Sequence, residues 1–89
     1  MSEASLRHAF SARLTEACNR KGLEAHGRGV TLARALAVTP RAVGKWLNGE
    51  ALPRDGKMQA LADYLQVSRE WLQLGSAALD NTVRTVPQA

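Results

Sequence analysis

The amino-acid sequence predicts an all-α fold, a compact bundle of about five short helices. Three observations carry that prediction. Apolar residues recur at intervals of three and four along most of the chain, the period of a helix with one buried face. β-branched residues are few, which disfavours strands. Hydrophobic residues make up 45% of the 89 positions but aromatic ones only 4%, so Leu, Val and Ala must fill the core, which suits closely packed helices.

The elements follow in order. Leu6, Phe10, Leu14, Ala17 and Cys18 form the apolar stripe of a first helix, with Ser2 or Ser5 placed to cap its start. Arg20 and Lys21 suit its negative C-terminal end, and Gly22 supplies the left-handed residue that stops it. Residues 23–29, with Gly27 and Gly29, are expected to form a flexible loop. Leu32, Ala33 and Leu36 share one face of a second helix. Thr39-Pro40 then opens a third, because threonine caps well and proline needs no amide partner at the first helical position. That helix runs through Arg41, Val43, Trp46 and Leu47 to stop near Gly49, with Val43, Trp46 and Leu47 on one side and Arg41, Gly44, Lys45 and Asn48 on another. Pro53 and Gly56 are expected to bracket a turn. Met58, Leu61, Ala62 and Leu65 stripe a fourth helix. Ser68 caps a short fifth helix carrying Trp71, Leu72 and Leu74, and Gly75 ends it. Residues 1–75 are thus expected to form one domain, and 76–89, with Asp80, Asn81, Pro87 and Gln88, a flexible tail or linker.

Composition excludes several classes. No apolar run approaches the roughly 20 residues of a membrane span, and the acidic start at Glu3 is unlike a secretory signal. Cys18 is the single cysteine, so no internal disulfide is expected. A reducing, cytoplasmic setting fits it, with the thiol buried as a small hydrophobe. His8 and His26 have no ligand partners at metal spacing and are expected at the surface. Gly27-Arg28-Gly29 is too short for a phosphate-binding loop. No metal, cofactor, small-molecule substrate or catalysis is therefore expected. The net charge of +4 and pI of about 10.0 favour an anionic partner, and the cations cluster. Arg28, Arg34, Arg41, Lys45, Arg54 and Lys57 fall in one window opposed only by Glu50 and Asp55, which is either a nucleic-acid footprint or a solvated face.

Two short helices separated by a tight turn are the informative piece, expected at residues 29–48. Ala33 takes the position of close approach, Ala37 the turn, and Val38, Val43 and Trp46 the buried side of the pair. The stretch from Leu32 to Gly49 resembles the Cro/phage-repressor (XRE-type) helix-turn-helix family. Asn48-Gly49 with Pro53, then Leu61 to Ser68, then Trp71-Leu72, resemble its later elements, so the likeness covers most of residues 6–75. Two positions depart from the family. Gly29 stands where glutamine is common, and Ala37 stands where glycine is usual.

The resemblance implies a lambda-repressor-like domain that binds double-stranded DNA sequence-specifically, with the N-terminal part of the second motif helix in the major groove. It implies base contacts from Arg41 and Lys45, with Gly44 letting the helix lie close. Phosphate contacts would come from Thr39, Asn48, Arg28, Arg34, Arg54 and Lys57. It further implies a transcriptional repressor acting as a homodimer on two half-sites, on nucleoid DNA in the cytoplasm. Trp71 is expected either in the core or, with Leu74, in the dimer interface. One branch of the family carries a self-cleaving domain beyond such a linker. An antitoxin or activator of the same family is the nearest alternative, and a helical protein-interaction module without DNA binding is the other.

Overall fold

A computed structural model of the chain describes residues 3–75. The expected tail at 76–89 and the candidate cap Ser2 lie outside the described residues. Five helices follow one another: α1 (Glu3–Lys21), α2 (Arg28–Leu36), α3 (Pro40–Leu47), α4 (Asp55–Leu65) and α5 (Arg69–Leu74). The fold is the all-α bundle that the periodicity predicts, and no strand occurs among the described residues.

The long helix α1 is the spine against which α3, α4 and α5 pack. Phe10, Leu14, Ala17 and Cys18 on its inner side are fully buried, and Leu32, Val43, Met58, Leu61 and Leu72 close over them from the other four helices. Burial pushes the pKa of the Cys18 thiol up, while the Arg28 guanidinium pulls it the other way. Leu6 corrects the expected stripe. It is 47% exposed, because the first turns of α1 run past the core and only Arg7 among residues 4–9 is even partly covered. Ser5 lies inside α1 and does not cap it.

Two more boundaries differ from expectation, and a third has no signal in the sequence. α2 starts at Arg28, so Gly29 is helical rather than part of the preceding loop. α4 starts at Asp55, which places Gly56 in its first turn and leaves Pro53, buried, as the turn residue. Gln66 closes α4 in the left-handed region at φ 61°, where no glycine or asparagine announces it.

Polar side chains tie the helix ends together. The last carbonyls of a helix have no partner within it, and each left buried and unbonded costs about 1–3 kcal/mol. The Ser11 hydroxyl on α1 donates to the Leu47 carbonyl at the end of α3. Arg13 donates to the carbonyls of Leu72 (2.9 Å) and Gln73 (3.0 Å) at the end of α5. Lys57 on α4 donates to the Leu36 carbonyl at the end of α2 (2.7 Å). These bonds hold the ends of α2, α3 and α5 against the rest of the bundle.

Candidate nucleic-acid interface

The functional geometry is built at the joint between α2 and α3. Ala33, 3% exposed, lets the two helices approach closely. The chain then turns on Ala37, which adopts φ 58° and ψ 44°, while the Val38 N–H donates to the Ala33 carbonyl at 3.0 Å. A side chain in that left-handed conformation costs about 1 kcal/mol relative to glycine, and the joint holds it there nonetheless. Thr39 follows in extended conformation. Its Oγ1 accepts from the Ala42 N–H at 3.1 Å and Pro40 takes the first helical position, so α3 starts sharply.

From there α3 has two sides. Val43, fully buried, and Trp46, 5% exposed, fix its inner side to the core. Its exit is equally constrained. Gly49 is left-handed at φ 76°, the Glu50 N–H donates to the Lys45 carbonyl at 2.8 Å, and a Cβ on Gly49 would meet His8 Nδ1 at 2.9 Å. Both ends and one side of α3 are therefore set by the protein itself. The other side is left open.

That open side carries Arg41, Lys45 and Asn48, all exposed, with Gly44 among them. Arg41 and Lys45 are four residues apart, one helical turn, so the two charges stand above one another and reach in one direction. Arg34 on α2 and Arg54 before α4 are also exposed. The Thr39 hydroxyl uses a lone pair in its cap, and its O–H proton is left over as a donor.

Two of the expected phosphate contacts are placed elsewhere. Arg28 is buried, at 8% exposure, and its guanidinium donates to the carbonyls of Leu23 (2.6 Å) and Glu24 (3.1 Å) and to Asn19 Oδ1 (2.8 Å). Sitting at the start of α2, it pins the connection from α1 instead of facing outward. The Lys57 ammonium is half-buried and bonded to α2. Neither joins Arg34, Arg41, Lys45 and Arg54 on the exterior. Ser11 and Arg13, the ties that seat α3 and α5, carry no motif that marks them in the sequence. The available signal was their position at the margin of the α1 stripe, beside Phe10 and Leu14.

The candidate dimer residues differ from each other. Trp71 is partly buried, packed on the core with the Arg20 guanidinium 5.5 Å from its ring centroid, whereas Leu74 is 67% exposed. His8 and His26 lie at the surface, as expected. No described helix is long and apolar enough to cross a membrane.

Comparisons with known proteins agree with this geometry. A helix-turn-helix family profile matches residues 27–72, which holds α2 to α4 and most of α5. The 26 kDa repressor protein of Escherichia phage HK022 is 48% identical over 66 residues, covering 74% of this chain and 28% of that protein. This chain therefore spans less than a third of the length of that relative. No solved structure matches. With the joint at Ala37, the capped helix after it and the profile all falling on the same residues, the chain belongs to the Cro/phage-repressor (XRE-type) helix-turn-helix family.

Proposed function

We propose that the domain is a sequence-specific double-stranded DNA-binding module of a transcriptional repressor. One observation carries the reading: α3 is fixed from behind by Val43 and Trp46 while Arg41 and Lys45 point away from the protein. A rigid helix with an outward basic side is what the major groove admits, and docking costs little when nothing in α3 has to rearrange. The repressor named among its relatives supports the same direction.

In this reading Arg41 pairs with the N7 and O6 acceptors of a guanine, and Lys45 reads the next part of the groove. Thr39, through its free hydroxyl proton, and Asn48 bond phosphates at the two ends of α3. Arg34 and Arg54 neutralise phosphates on either side and give binding its salt dependence. Two copies joined near the end of α5, through Leu74 with Trp71 beside it, present two such helices to half-sites one helical turn apart. Bound there, in the cytoplasm on nucleoid DNA, the dimer excludes polymerase. The domain itself performs no catalysis.

Selection from a library of random duplexes tests the proposal. It should return a two-fold repeated motif whose affinity falls steeply between 50 and 200 mM salt. Failure to enrich any sequence, together with no binding of duplex at low salt, would refute it. Leu74→Lys should shift the free protein toward monomer in sedimentation equilibrium, and an unchanged assembly would remove α5 from the interface.

A further inference from the structure

Of the seven glycines, Gly22, Gly27, Gly49 and Gly75 have φ between 75° and 92°, which is reason enough for glycine. Gly29 and Gly56 each stand second in their helix, before the intrahelical ladder has begun. Gly44 is different. It is the fifth of the eight residues of α3, outside the left-handed region, and beyond its two chain neighbours and the backbone of its own helix no atom lies within 4 Å of where its Cβ would be. In a helix interior glycine shifts the folding equilibrium about fivefold the wrong way relative to alanine. Backbone and packing within the chain would both accept alanine here, so the requirement that fits comes from outside it.

The surroundings say what kind of requirement. Gly44 lies on the open side of α3, among Arg41, Lys45 and Asn48. The floor it leaves is bare: its carbonyl accepts from the Asn48 N–H at 2.9 Å and its own N–H belongs to the helix ladder. A donor or acceptor of a base edge pressed against such a floor would lose water and gain no partner. The C5 methyl of thymine is the one apolar group that the major groove offers, and it loses nothing there. We infer that Gly44 is a specificity-determining residue whose missing side chain forms a notch for a thymine methyl, next to the base that Arg41 reads. The inference rests on the reading of α3 as the helix in the major groove.

The test uses the 89-residue chain and the duplex it selects from a random library. Each thymine is replaced singly by uracil, which removes the methyl and nothing else. One thymine per half-site should lose about fourfold in affinity, the worth of one buried methyl, while the others stay flat. Gly44→Ala should melt at a higher temperature yet bind the selected duplex about tenfold more weakly, and should no longer distinguish thymine from uracil at that position. Uniform indifference to uracil, or full affinity in Gly44→Ala, overturns the notch while the selected motif still stands. If no motif is selected at all, the major-groove reading fails and the notch fails with it.

Discussion

Arg28 and Lys57 at the seam of the bundle, and Arg41 and Lys45 on the outward side of α3, come from one basic window but meet opposite circumstances. At the seam, both cations donate to carbonyls that the ends of helices and loops would otherwise leave bare. On α3 the two cations have no such task, and the helix beneath them is already held by Val43, Trp46, Ser11 and Gly49. Charge in this domain therefore has two uses that substitution can separate. A seam cation should register in stability and not in DNA affinity; an outward cation should do the reverse.

The largest effect should come from the seam. Arg28→Ala removes three hydrogen bonds of a buried guanidinium and should cost about 2–4 kcal/mol of stability in urea denaturation. Conditions that keep the variant folded should leave the salt slope of DNA binding unchanged. A normal denaturation midpoint with a shallower salt slope would move Arg28 into the outward set.

Next in size is the base contact. Arg41→Ala should relax the preference at one base position per half-site by about 1–3 kcal/mol, while stability stays within about 0.5 kcal/mol of the parent. The selected motif is the readout. An unaltered motif would assign Arg41 to phosphate and leave base reading to Lys45.

This division explains what was legible in the sequence. The start of α3 is legible to the residue and its end to within two, because Thr39-Pro40 and Asn48-Gly49 are local signals whose physics does not depend on the rest of the fold. The core stripes were legible for the same reason, apart from Leu6, since a stripe records which side faces inward but not where the neighbouring helices stop. The jobs of Arg28 and Lys57 were not legible. An arginine beside Gly27 and Gly29 looks exposed until the connection folds back and brings the carbonyls of Leu23 and Glu24 to it. Lys57 finds Leu36 across 21 positions, a pairing that only the packing of α4 on α2 creates.

Arg54→Ala should weaken all duplexes by a similar factor and reduce the salt slope by about one unit, without shifting the motif. Titrations at several salt concentrations measure this. An unaltered slope would place Arg54 in solvent and confine the outward set to α2 and α3.

A smaller change is expected at the joint between α2 and α3. Ala37 is exposed, so replacing it with glycine opens no cavity, and its φ of 58° is one that glycine adopts without strain. Glycine also gains more freedom in the unfolded chain, which offsets part of the relief. Ala37→Gly should therefore stabilise the fold by a few tenths to about 1 kcal/mol, measured as a rise in the denaturation midpoint. DNA affinity should not change, because Val38, Thr39 and the buried side of α3 set the helix direction independently of the Ala37 side chain. A loss of affinity at unchanged or higher stability would mean that the alanine methyl itself restricts the angle between α2 and α3, and the seam would then reach into DNA binding after all.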